Sequence, residues 1–139
     1  TFAAHLVRVA STLRIRDQVL AHVELSDDVI PGITAVQALT ARHRVPLNDV
    51  GEPVLITTGR QLRAHPLTGS AVVMLDADCS FLRCPPQTRI WWGAYLGTAD
   101  ELLISGTVGE VGQRIVELRA EARARHGWIM DTYLLREPA

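Results

Sequence analysis

A series of short apolar runs bounded by turn residues limits this chain more than any other feature of its sequence. They are PVLITTG (Pro53–Gly59), SAVVML (Ser70–Leu75), TRIWWGAYLG (Thr88–Gly97), ELLISG (Glu101–Gly106) and a closing WIMDTYLL. Runs of this length suit strands of a sheet covered on both faces. Between the last two lies the clearest helix in the chain. Val108, Val111, Ile115, Leu118 and Ala122 form one apolar stripe, and Glu110–Arg114 and Glu121–Arg125 are favourably spaced i,i+4 pairs. Thr107 with Glu110 has the pattern of a capping box at its start, and Gly127 is placed to end it. The predicted fold class is therefore α/β, mostly strand in the second part, with one long covering helix.

The first part reads differently. Leu13–Val23 carries Ile15, Val19 and Val23 at helical spacing, which predicts an amphipathic helix. DDVIPG follows as a short strand, and Ile33 to His43 is predicted helical, with Ile33, Val36 and Thr40 on one side and Arg42 near the C-terminal end. RVPLNDVGEPV, with two prolines and a glycine, reads as a connector and places a domain boundary near Gly51, dividing the chain into residues 1–50 and 51–139. The turn from VIPG straight into a helix has two explanations. It either leaves free helix N–H groups facing a ligand or is only a short βα connection.

Composition removes several function classes. With 139 residues, a net charge of −1 and no basic cluster, the chain lacks the signature of a nucleic-acid binder. No apolar run approaches the roughly 20 residues of a membrane span, and no apolar leader is seen, so a soluble cytoplasmic protein is expected. All 14 basic residues are arginine, which excludes a Schiff-base lysine and a phosphate-loop lysine within this chain. Cys79 and Cys84 are too few for a disulfide scaffold and read as ordinary thiols. His5, His22, His43, His65 and His126 have no metal-ligand spacing, so no metal site is expected. Ser11, Ser70 and Ser105 lack a nucleophile-elbow context.

Three segments remain as candidate chemistry. Asp76 and Asp78 follow a strand in MLDADC, where open α/β sheets place ligand-contacting residues; they read as an acid–base pair or as a solvated turn. Arg60, Arg63 and His65 in TGRQLRAH read as a basic loop for an anionic ligand or as a solvated loop. Gly106, Gly109 and Gly112 in GTVGEVG fit close helix packing better than a phosphate cradle, since no lysine accompanies them.

Taken in order, VIPGITAVQALTARHRVPLNDVGEPVLITTGR, VVMLDADCSF, WWGAYLGTADELLISG and RHGWIMDTYLLR make the chain similar to the tetrapyrrole methylase family, from about Ser11 to the C-terminus. Within that family the likeness is greatest to the acetate-releasing corrin-ring methyltransferases of cobalamin synthesis. The resemblance implies the mixed-sheet C-terminal domain of a two-domain methylase, plus the last helix–strand–helix part of the N-terminal domain in residues 1–50. It implies S-adenosylmethionine as cofactor, folded between the domains. Ile33, Thr34 and Ala35 of PGITA, Met74 of VVML, Leu96 of YLGTAD, and Thr107 and Val108 of SGTV are the implied cofactor contacts. Thr107 then has two readings, helix cap and cofactor neighbour. Many relatives have serine at the position of Ala35 and leucine at that of Val108.

The implied reaction is methyl transfer to ring carbon C-1 of precorrin-5, with an acyl fragment leaving as acetate, with consumption of water, to give precorrin-6A. Asp76 or Asp78 is the implied base, and Arg60 and Arg63 are set to meet substrate carboxylates. A homodimer is implied for the longer enzyme. The family's glycine-rich and Gly-Asp-Pro loops have no counterpart here, so weak cofactor binding by this chain alone is expected, and a non-catalytic assembly module or a methylase acting at another ring position stays open. The Pro31-Gly32 bend, the end of the Met74 strand and the Thr107 corner are expected to converge on one crevice.

Overall fold

The computed structural model describes residues 32–138. The predicted helix Leu13–Val23 and the DDVIPG strand up to Pro31 lie outside the described residues. Within them the order is α1 (Ala35–His43), β1 (Val54–Thr58), α2 (Gly59–Ala64), β2 (Ser70–Met74), a 3₁₀ turn (Ser80–Arg83), β3 (Arg89–Ala94), β4 (Leu102–Thr107), α3 (Val108–His126) and β5 (Asp131–Arg136).

The strands form one sheet in the order β1-β2-β5-β3-β4. Only β1 and β2 are parallel, joined through α2; every other pairing is antiparallel. The last strand in sequence thus sits in the middle of the sheet. Burial follows this order. All five residues of β2 are buried, as are Thr132 to Leu135 of β5. β1, expected to be covered on both faces, is an edge strand, and Leu55 and Ile56 are more than half exposed.

The two-residue period of the strands divides the core between the faces. Ala71 and Val73, Tyr133 and Leu135, and Ile90 and Trp92 pack with Phe81, Ile115 and Ala122 on the α3 side. Val72, Met74, Leu134 and Trp91 pack with Val36 and Leu39 of α1 on the other. This is a helix–sheet–helix sandwich.

The long helix is built as expected at both ends. Thr107 and Glu110 form the capping box, and Gly127 ends the helix with a left-handed φ of 74°. The predicted Glu110–Arg114 pair is not made, because the Glu110 carboxylate is held by the Thr107 amide at 3.0 Å; Arg114 reaches Glu117 and Glu121 instead. A Cβ on Gly109 would stand 3.0 Å from Pro86, and one on Gly112 3.0 Å from Leu82. The glycines serve close packing, against the segment before β3 as well as the 3₁₀ turn.

The other helices differ from expectation. α1 begins after Thr34, whose side chain and Gln37 form a capping box, so an ordinary polar cap starts this helix after all. Ile33 precedes the cap and is 65% exposed; the buried face is Ala35, Val36 and Leu39. The basic stretch TGRQLRAH is not a loop but the six-residue α2, capped by Thr58. Six residues are too few for apolar periodicity to show.

Candidate functional site

Strand register decides which predicted site residues can meet. Met74, Thr132, Gly93 and Leu103 lie in one row across β2, β5, β3 and β4. Ser70, Arg136, Arg89 and Thr107 lie in another, four residues away along the strands. At about 3.3 Å per residue and about 4.8 Å per strand, Met74 and Thr107 are roughly 19 Å apart, at opposite ends of the sheet. The expected convergence of the Met74 strand end with the Thr107 corner is corrected. β4 runs against β2, so a helix following β4 starts at the other end.

The start of α3 is also closed. The Val108 amide donates to the Thr88 carbonyl and the Gly109 amide to that of Pro86, both at 2.8 Å. The Glu110 amide donates to Thr107 Oγ1 at 3.3 Å. With these donors engaged, the amides at the start of α3 are not open to a ligand, and the cap reading of Thr107 is the one seen in the structure.

The other end of the sheet gathers the remaining predictions. Met74 and Leu96 are 5% and 7% exposed and share one apolar cluster with Val36, Leu39 and Leu134. Gly93 forms its floor, since a Cβ there would lie 2.8 Å from Leu96 Cδ2 and 2.9 Å from Leu39 Cδ1. Ala35 is buried and Thr34 half-buried at the head of α1. Two strands stop here on left-handed, non-glycine residues: Leu75 after β2 at φ 54° and Tyr95 after β3 at φ 50°. Such conformations cost about 1–3 kcal/mol and cluster at ligand sites.

Asp76 follows Leu75 and is 4% exposed. Its Oδ2 accepts the Ser80 amide and the Tyr133 hydroxyl, both at 2.6 Å, and its Oδ1 accepts the Ser80 hydroxyl at 2.7 Å and the Asp78 amide at 3.3 Å. Arg63 Nη1 stands 3.5 Å from Oδ1. Burial acts to raise the carboxyl pKa, but the hydrogen bonds from Tyr133, Ser80 and Asp78 outweigh it and hold the group below the ordinary carboxylate value. Burial and the neighbouring Asp76 in turn push the Tyr133 phenol up. A base needs a lone pair open to the proton it removes. Asp76 is buried and both its oxygens already accept hydrogen bonds, so it does not fit the expected base role and serves as a structural carboxylate.

Arg63 is partly committed: its Nη1 donates to Ser80 Oγ at 2.7 Å and pairs with Asp78 Oδ2 at 2.8 Å, which ties that arm of the guanidinium to the protein. Asp78 is exposed, with 64% of its side chain accessible, and Arg60 is exposed on the first turn of α2. Gly59 is the enabling residue: a Cβ there would fall 2.1 Å from Asp76 Oδ1. Gly59→Ala is expected to destabilise the chain by about 1–3 kcal/mol through overpacking. Urea unfolding followed by tryptophan fluorescence measures it, and an unchanged midpoint would refute the close approach.

Periodicity gave no signal for Arg119, which is the second anchor of this end. Its guanidinium grips Asp131 with Nε on Oδ2 at 2.7 Å and Nη2 on Oδ1 at 3.2 Å. It also donates to the Asp76 carbonyl at 2.7 Å and to Cys79 Sγ at 3.2 Å. Trp92 Nε1 donates to the same Asp131 oxygen at 2.8 Å. Burial works against the Arg119 charge, but the hydrogen bonds and charge of Asp131 more than restore it, and its pKa is raised. Burial likewise raises the Cys79 thiol. Beside this pair a cavity of about 400 Å³ opens between the ends of β2 and α3 and the start of β5.

Comparison with known proteins bears on what such a site holds. Residues 10–112 match the family described as Tetrapyrrole (Corrin/Porphyrin) Methylases. A relative from Sinorhizobium sp, named precorrin-6A synthase [deacetylating], is 56% identical over 134 residues, covering 93% of this chain and 51% of the relative. The crystal structure of a cobalamin synthesis related protein, CobF, from Corynebacterium diphtheriae is 46% identical with a TM-score of 0.86, covering 91% of this chain and 56% of that one. Uroporphyrin-III C-methyl transferase of Thermus thermophilus, solved in complex with S-adenosyl homocysteine, shares the fold at a TM-score of 0.55 and 17% identity, covering 79% of this chain and 52% of that one. The chain spans about half the length of the relatives it matches.

Proposed function

Because this chain belongs to the tetrapyrrole (corrin/porphyrin) methylase family, we propose that it forms one wall of an S-adenosylmethionine-dependent methyltransferase that converts precorrin-5 to precorrin-6A with release of acetate. The observation that carries this is the 56% identity, over 93% of the chain, to the Sinorhizobium precorrin-6A synthase. In this proposal residues 1–50 belong to the first domain and 51–139 to the second, and α1 brings the first onto the sheet of the second. A homodimer of the longer enzyme belongs to the same proposal. No helix among the described residues is long and apolar enough to cross a membrane.

The Met74 end of the sheet fits the cofactor. In this proposal the buried Ala35, Met74 and Leu96 form the apolar backing of the adenosyl site, and Thr34 and Ile33 lie at the head of α1. The first-turn amides of a helix lack intrahelical acceptors and can donate to a ligand. Bound S-adenosylmethionine supplies an electrophilic methyl group. The chain's own part is to hold the reactants in line and to limit water, admitting the one water that release of acetate consumes. The macrocycle is the nucleophile, so no activated serine or cysteine is needed. Of the two carboxylates, Asp78 has oxygen open to solvent and takes the base role in deacylation, while Arg60 is the exposed cation for a substrate carboxylate.

The test combines this chain with the half of the Sinorhizobium relative that it does not span, and adds S-adenosylmethionine and precorrin-5. Acetate and S-adenosylhomocysteine are expected to appear in equal amounts. Methylation without acetate would move the reaction to another ring position, and no methylation would leave a non-catalytic scaffold; either contradicts the proposal.

A further inference from the structure

The cavity beside the Arg119–Asp131 pair is not used by the cofactor site just described, although Met74 borders both. Its apolar lining includes Leu75 on its left-handed turn, Met130, and Trp128, which is 48% exposed. The indole is pre-set rather than loose. It meets the Tyr95 ring edge-on at 5.3 Å, and the Tyr95 hydroxyl donates to the Trp128 carbonyl at 2.6 Å. Fixing an aromatic wall in advance removes ordering cost from binding.

Among the charged groups lining the cavity, Arg123 is the one that stays open to a ligand. Asp131 pairs with Arg119, and the Asp76 oxygens accept from Tyr133 and Ser80. Arg123 lines the same cavity one helical turn after Arg119 and is exposed. It makes no ion pair with any described residue. A guanidinium without an ion pair among the described residues, in a cavity also lined by an indole and aliphatic side chains, suits a ligand with a flat apolar body and a carboxylate at its edge.

We infer that this cavity, between the end of β2 and the C-terminal turns of α3, receives the carboxylate-bearing rim of the tetrapyrrole substrate, with Arg123 pairing one carboxylate and Trp128 bearing on the adjoining ring. The inference rests on the methyltransferase proposal and names the substrate-facing side of the same sheet end. It differs from the Arg60 assignment in placing the contact on α3. Arg125, in the same last turn of α3 but outside the cavity lining, is the internal control for a mere helix-end charge effect.

The experiment titrates the ¹⁵N-labelled chain with uroporphyrin III, a polycarboxylated tetrapyrrole, and follows the Trp128 indole N–H signal, identified by its absence in Trp128→Phe. A saturable shift is expected. Arg123→Gln should weaken binding about tenfold or more, by loss of a charge-assisted contact, and Arg125→Gln should leave it unchanged. An unmoved Trp128 signal, or equal weakening by both variants, would overturn the inference. So would a saturable Trp128 shift with S-adenosylhomocysteine, which would give the cavity to the cofactor. If S-adenosylhomocysteine moves Met74 and Leu96 while the macrocycle leaves Trp128 still, this inference alone fails; if neither ligand is bound, the methyltransferase proposal falls with it.

Discussion

Asp76→Ala is expected to lower the unfolding free energy by about 3–5 kcal/mol, the usual cost of removing one partner from a buried charged network. The carboxylate satisfies the Tyr133 hydroxyl and both polar groups of Ser80, and it lies within reach of Arg63. Deleting it leaves those donors buried without acceptors. Urea unfolding of the variant would show the loss, and a change below about 1 kcal/mol would contradict the network. The pH dependence has a fixed sign. Asp76 titrates lower in the native state than its ordinary value of 3.8, so its contribution is complete above that value and is lost as pH falls through the depressed native pKa. Asp76→Asn should therefore flatten the acid limb of the stability curve. Glu101 and Glu110 are also depressed, mainly by the backbone amides of Gly97 and Thr107, and will keep part of that limb.

Arg119→Ala should cost a similar amount, about 3–5 kcal/mol, because it leaves Asp131 buried beside Trp92 with its bidentate partner gone. The same change frees the Asp76 carbonyl and with it the loop after β2. Arg119→Lys is not expected to rescue it, since an ammonium cannot repeat the two-pronged contact. Thermal unfolding of Arg119→Ala, Asp131→Asn and the double variant measures the coupling. Additive losses would show that the two side chains do not act as a pair.

These two residues also mark where sequence reasoning stopped. Local chemistry was legible: Thr107, Glu110 and Gly127 sit within a turn of the α3 ends they control, and each did what its type and spacing foretold. At α1 the same logic failed by two residues, because Ile33 before the cap looks like part of an apolar face. Strand existence was legible from apolar runs, but strand order was not. Nothing in WIMDTYLL says that it inserts between β2 and β3.

That one fact explains the largest errors at the site. The position of Asp76 after a strand was readable, whereas its role depends on Tyr133 from the inserted strand and on the bare Cα of Gly59. Thr107 was placed beside Met74 by resemblance, without the strand direction that puts it at the far end. Arg119 on a helix surface reads as a solvated charge until Asp131 arrives from β5 to bury it.

The most direct test asks which end of the sheet meets the cofactor. Amide and methyl signals of the labelled chain are followed during titration with S-adenosylhomocysteine, a measurement that reports weak binding as well as strong. Shifts confined to Thr34, Ala35, Met74 and Leu96, with Thr107 to Gly109 unmoved, are the predicted result. Shifts centred on Thr107 and Val108, with Met74 unmoved, would contradict it.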